Sequence, residues 1–171
     1  MDLLLIVLRV VHIFSAMIWF GGAIIGSFFL SPTAAALGKA GQPFMEHLMR
    51  RRRMGIFFPI VAGLTVLSGV ALYWRDSAGL QAAWISSPSG IAFTIGGLAA
   101  IIAFVGGFVL VGPSVAEQTA VQTELALGDG VPSEAQRQRL ERASRRMQLA
   151  NRIDAPLLLL AGLTMAVARY L

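Results

Sequence analysis

Residues 3–30 read LLLIVLRVVHIFSAMIWFGGAIIGSFFL, and Arg9 is the only charged side chain among them. The hydrocarbon core of a bilayer is about 30 Å thick, so a helix needs about 20 apolar residues to cross it. This stretch is longer than that requirement, which a spanning helix accommodates by tilting or by extending past the lipid. The stretch therefore predicts a membrane-spanning helix near the N-terminus.

Three further apolar runs have the length of a span, at about residues 55–74, 90–111 and 153–171. Apolar residues make up 56% of the chain and charged residues 13%, whereas soluble domains carry about 25% charged residues. A chain of 171 residues fits one domain. We therefore expect an all-α integral membrane four-helix bundle that forms a single domain over residues 1–171, with Pro32, Pro88 and Pro113 delimiting helices.

The arginines cluster between the apolar runs. One block is Arg50–Arg53, and the other lies in the loop before the last run and contains Arg137, Arg139, Arg142, Arg145, Arg146 and Arg152. By the positive-inside rule these loops are cytoplasmic, which places both termini and the loop over residues 75–88 outside. We expect a bacterial-type plasma (inner) membrane protein with periplasmic termini and with anionic lipid at its basic face. Nucleic-acid binding is not expected, because no basic groove with aromatic platforms is present.

The last loop contains a predicted helix of its own. A turn over Gly128–Pro132 precedes Ser133, which is a good N-cap for a helix that starts at about Glu134. Two interpretations stay open for this segment. It is either an amphipathic cytoplasmic helix at the membrane surface before the last span, or a solvated charged helix that extends that span.

A weak internal repeat connects the two halves of the chain. Each half has a long apolar run, an exit proline, an arginine-rich segment and a second run. The matching residues are Pro32 with Pro113, Arg53 with Arg152, Pro59 with Pro156, and Ala62–Thr65 with Ala161–Thr164. This pattern indicates two parallel helical hairpins.

His12 is the most informative candidate for chemistry, because it is the only histidine within a predicted span. A neutral imidazole ligates haem iron or copper, and its structural alternative is a hydrogen bond between helices. Arg9 lies three residues earlier on the same face, where it can snorkel to the outer interface or pair with a haem propionate. Trp19 lies two helical turns after His12 and can line the same pocket. The absence of cysteine excludes thiolate-ligated metals and disulfides.

The segment from His12 to Gly21 has the form H-x6-W-x-G. It resembles the first helix of the copper-resistance-D-like membrane domain and of the HemJ-type protoporphyrinogen oxidases. The second run and the arginines before it, with Met54, Pro59, Thr65 and Gly69, are similar as well. Residues 151–156 resemble the Asn-Glu-x-Pro entry to the last helix of the HemJ-type proteins.

The resemblance implies a redox protein that binds haem b, with His12 as the ligand. HemJ-type proteins carry a lysine and a further histidine in the third helix, and residues 90–111 contain neither, so only His12 carries over. The second axial position is then open, or a second copy supplies its own His12 in a homodimer or larger membrane complex. The copper-resistance resemblance implies a copper-binding or copper-uptake protein instead. A cofactor-free accessory or assembly subunit is the third hypothesis.

Overall fold

A computed structural model describes residues 2–128 and 130–171, and within them the side chains of all residues except Lys39 and Gln42. The described residues are almost entirely helical and contain no strand. Met1, which belongs to the predicted outer N-terminus, and Asp129, which belongs to the predicted turn, lie outside the described residues. The helices are α1 (Leu3–Ala36), α2 (Gly41–Glu46), α3 (Met54–Asp76), α4 (Ala82–Ile85), α5 (Pro88–Leu127) and α6 (Glu134–Val167), which ends in a 3₁₀ turn, Ala168–Tyr170.

Four of these helices, α1, α3, α5 and α6, are long and apolar enough to cross a membrane. This confirms the predicted all-α four-helix bundle. Three of them are longer than the apolar runs that predicted them, because α1 continues to Ala36, α5 continues to Leu127, and α6 begins at Glu134. The length of an apolar run indicates only the part of a helix that lipid can surround. The helices themselves continue beyond that part.

Two of the three prolines do not delimit helices as expected. Pro88 does begin α5, but Pro32 and Pro113 lie inside continuous helices. In each case a π-helical turn comes before the proline, Gly26–Leu30 in α1 and Gly107–Val111 in α5. A proline ring clashes with the carbonyl four residues earlier, and a π turn widens the helix at that carbonyl. The two turns occupy matching places in the two halves, which gives the sequence repeat a backbone counterpart.

The bundle is built from two antiparallel hairpins, α1 with α3 and α5 with α6. Glycine allows each pair to approach closely. A Cβ at Gly22 would lie 2.0 Å from Cε1 of Phe58, and a Cβ at Gly96 would lie 2.6 Å from Oγ1 of Thr164. We call the end of the bundle that holds Asp2, α4 and Tyr170 the terminal end. The opposite end, with the arginine clusters, is the arginine-rich end.

At the arginine-rich end α5 and α6 continue together as a helical hairpin. Buried residues seven apart face each other there: Ser114 and Val121 on α5, and Ala143 and Ala150 on α6. Arg139 of α6 donates to Glu117 and, at 2.9 Å, to Glu124 of α5. The predicted helix before the last span is therefore present. It is continuous with that span, as the second of the two interpretations expects, and Ser133 caps it with Gln136.

Candidate functional site

A cavity of about 450 Å³ lies between the four long helices, toward the terminal end of the bundle. Its volume falls within the range of pockets that hold cofactors and other small molecules. The body of the cavity is apolar, with walls that include Ile13, Ala16, Phe20, Val66, Leu98, Ile101 and Leu158. Arg9, His12 and Trp19, the three residues predicted to share a site, all line this one cavity.

His12 is held in one orientation by α3. Its Nδ1 lies 2.9 Å from the backbone carbonyl oxygen of Thr65 and 3.4 Å from Oγ of Ser68. A carbonyl only accepts hydrogen bonds, so Nδ1 carries the proton and donates it to Thr65. The other nitrogen, Nε2, then has a free lone pair, and no described residue makes a hydrogen bond with it. The predicted interhelical hydrogen bond therefore exists, and it leaves the ring able to ligate a metal.

Gly69 of α3 lies directly against the imidazole of His12. A Cβ at this position would lie 2.8 Å from Cε1 and 3.2 Å from Nδ1 of His12. Any larger residue would push the ring away from α3, because such distances are shorter than carbon atoms tolerate. The glycine therefore permits the close approach that the bond between His12 and Thr65 requires.

The other two predicted residues have protein partners of their own. A guanidinium nitrogen of Arg9 lies 4.0 Å from a carboxylate oxygen of Asp76, and both side chains are about two-fifths exposed. This is a loose ion pair at the mouth of the cavity, of the kind that contributes little stability. Trp19 packs edge-to-face on Phe104, with ring centroids 6.4 Å apart, and forms part of the deeper wall.

The sequence did not single out the contribution of α6. Met165 lines the cavity, and so does Arg169. Their spacing of four residues puts both on one face of the helix, which was the available signal. Two glycines of the wall, Gly97 and Gly162, have nothing within 4 Å of the place where a Cβ would stand. The cavity therefore has two recesses that side chains leave unfilled.

An aromatic cluster forms the wall nearest α4. Trp84 stacks on Phe93, with centroids 6.2 Å apart and an interplanar angle of 10°, and Tyr73 meets Trp84 edge-on at 5.2 Å. The hydroxyl of Tyr73 lies 2.6 Å from Oγ1 of Thr94, which itself donates to the carbonyl of Gly90. Tyr73 and Trp84 thus belong to the wall of the cavity.

Two polar residues lie away from the cavity. His47 belongs to a π turn, His47–Arg51, at the arginine-rich end. Asp154 lies against Gly106, where a Cβ would be 3.3 Å from its Oδ1, and no described residue forms an ion pair with it.

Within residues 2–128 and 130–171, no group of three or more His, Cys, Asp and Glu side chains could hold a metal ion together. A metal at His12 would therefore need ligands of another kind.

No family model matches the chain, and neither the curated proteins nor the solved structures contain a match to it.

Proposed function

We propose that the chain is a redox protein of the bacterial inner membrane that binds haem b in the four-helix cavity, with Nε2 of His12 as an iron ligand. One observation carries this proposal: the Nδ1 proton of His12 is committed to Thr65, while Nε2 is unpaired and the ring lines the cavity. Histidines that ligate metals generally donate their other ring proton to a carbonyl or carboxylate in this way. The resemblance of the first helix to the HemJ-type proteins points in the same direction.

The residues around His12 fit a flat, largely apolar group with acidic substituents. Gly97 and Gly162 leave open recesses, and the walls are apolar or aromatic. Arg9 and Arg169 line the same cavity and supply cationic groups for carboxylates. When bound, haem would supply one-electron redox chemistry. The chain's own part is to ligate the iron through His12, to exclude water with the apolar walls and to hold the carboxylates.

Copper is the second candidate, and a specific observation favours it. Met165, which carries a thioether, lines the same cavity as His12. Imidazole with a soft sulfur ligand suits copper better than it suits hard cations. A cofactor-free accessory subunit remains as the outcome in which neither metal binds.

The basic clusters support a cytoplasmic location for the arginine-rich end and a periplasmic location for the cavity mouth. The exposed arginines Arg51 and Arg52 form no ion pair with described residues, which suits them to anionic lipid. In this orientation a periplasmic ligand or electron partner would reach the cavity without crossing the bilayer.

The absorption spectrum of the purified full-length protein, made with ample haem and iron, tests the proposal. The wild type should show a Soret band, and His12→Ala should abolish it while the protein stays folded in detergent. His47→Ala is the control and should leave the band unchanged, because His47 lies at the other end of the bundle. If His12 serves only as an interhelical hydrogen bond, its removal should cost about 0.6 kcal/mol of bundle stability without spectral change.

The same preparation separates the alternatives. A wild type without a Soret band contradicts haem binding. Stoichiometric copper that His12→Ala or Met165→Leu removes would then support the second candidate. A protein that retains neither metal would support the accessory role.

A further inference from the structure

The polar groups of the cavity are concentrated at its terminal end. Arg9, Asp76 and Arg169 line the mouth, and Tyr73 and Thr94 below them satisfy each other by a hydrogen bond. Apart from His12, the deeper walls are largely apolar or aromatic. A ligand that matches this division has an apolar body and a polar group at one end, with that group directed toward the mouth.

Among the described residues at this end, one of the three arginines has no ion-pair partner. Arg75 forms an ion pair with Asp2, outside the cavity walls. The hydrogen bond from the Leu5 amide and the bond from Arg75 lower the pKa of Asp2, so its carboxylate is charged and neutralises Arg75. Arg9 has Asp76 as its partner. Arg169 has no ion-pair partner among the residues that the structure describes, and it is the one guanidinium at the cavity mouth left without one.

The position of Arg169 along α6 places it above the apolar body. It follows Met165 by four residues, which is about 6 Å along a helix. On α1, which runs in the opposite direction, Arg9 precedes His12 by three residues, or about 4.5 Å. Arg169 therefore lies about one helical turn nearer the terminal end than Met165, and Arg9 about one turn nearer that end than His12. If the acidic group of a ligand lies beside Arg169, the rest of that ligand lies at the depth of His12.

We propose that Arg169 binds the acidic group of an amphipathic ligand whose apolar body fills the cavity. A guanidinium binds a carboxylate through two parallel hydrogen bonds, which fixes orientation as well as adding affinity. If the ligand is haem, this inference rests on the proposed function, and the acidic group is a propionate of the haem. The unpaired charge at the mouth can bind such a group whether or not the ligand contains iron.

Binding of haem and of haem dimethyl ester to the full-length protein tests this assignment. The two probes carry the same iron, but the ester lacks free carboxylates. In nanodiscs of neutral lipid, with empty nanodiscs subtracted, the wild type should bind haem about tenfold more tightly than the ester. Arg169→Gln should remove most of this preference without weakening ester binding, and Arg169→Lys should keep part of it. Arg75→Gln is the matched control from the same end of the bundle and should leave the preference intact.

Two results would overturn the assignment: a wild type that binds both probes equally, or a preference for haem that survives Arg169→Gln. If the wild type binds neither iron probe, the haem proposal fails, and free-base protoporphyrin keeps the inference testable. It carries the same two carboxylates without a metal, and quenching of Trp19 and Trp84 fluorescence reports its binding. Binding that Arg169→Gln weakens and His12→Ala does not would support the inference without haem. Absent binding, or binding insensitive to Arg169→Gln, would overturn it.

Discussion

The imidazole of His12 rests on the backbone of Gly69, so closely that a Cβ at Gly69 would lie 2.8 Å from Cε1 of the ring. This contact joins the first two spanning helices at the depth of the cavity. It also brings Nδ1 of His12 within 2.9 Å of the carbonyl of Thr65, one turn earlier on α3. The missing side chain at residue 69 thus allows the close approach in which Nδ1 of His12 bonds to Thr65.

Gly69→Ala is expected to displace the imidazole and to weaken or break its bond to Thr65. Loss of such a supporting hydrogen bond typically lowers metal affinity by about 10- to 100-fold. Haem titration of the variant, followed at the Soret band, measures the effect. Gly63→Ala on the same helix is the control, because a Cβ there meets nothing within 4 Å. Equal affinities for the two variants would show that the packing of His12 on Gly69 has no part in ligand binding.

Gly162→Val is expected to block the cavity without disturbing the bundle. A Cβ at Gly162 meets nothing within 4 Å, and the residue lines the cavity, so the added side chain enters the space that the ligand needs. Ligand affinity should fall at least tenfold while thermal stability does not fall. Gly21→Val provides the comparison, since that glycine is equally open but is not part of the cavity wall. Unchanged affinity in Gly162→Val would place the ligand elsewhere.

The spans and the bundle could be predicted from sequence, because about 20 uncharged apolar residues leave few alternatives to a crossing helix. The helix lengths could not. Pro32 and Pro113 are usually signals of a helix end, and the π turns that let the helices continue have no strong residue pattern. The continuation of α5 to Leu127 depends on its packing against α6, which involves residues far apart in sequence.

Part of the candidate site could also be predicted from the sequence. Arg9, His12 and Trp19 share one face of one helix, so periodicity alone places them together. Met165 and Arg169 also share a face, but which face of α6 meets the cavity is decided by how the two hairpins pack. Gly69 was named only among the residues of the family resemblance, and its contact with His12 joins residues on two different helices.

Reporter fusions test the orientation that the arginine clusters predict. Fusions at Gly41 and Gly130 should report a cytoplasmic location, and a fusion at Gly79 should report the periplasm, because loops rich in arginine are retained on the cytoplasmic side. Each position is fused in turn to a reporter that is active only in the cytoplasm and to one that is active only in the periplasm. The two signals from one position then control each other. A periplasmic signal at Gly41 or Gly130 would reverse the orientation and move the cavity mouth to the cytoplasm.

Anionic lipid is expected to contact only the arginines nearest the membrane. Arg152 directly precedes Ile153, where the last apolar run begins, whereas Arg137 lies fifteen residues earlier on the same continuous helix, α6. At 1.5 Å per residue the two are about 22 Å apart. The Debye length in physiological salt is about 8 Å, so a lipid surface that attracts Arg152 is largely screened from Arg137.

Arg152→Gln should therefore reduce the retention of phosphatidylglycerol over phosphatidylcholine by about 1 kcal/mol, or roughly fivefold. Arg137→Gln should have almost no effect. Lipid that remains bound after delipidation, quantified by mass spectrometry, gives the ratio for each variant. Repeating the measurement in high salt should diminish the difference, because screening weakens exposed charges. Equal losses in the two variants would mean that the segment lies along the membrane surface and does not project from it with α5, which would restore the interfacial-helix interpretation.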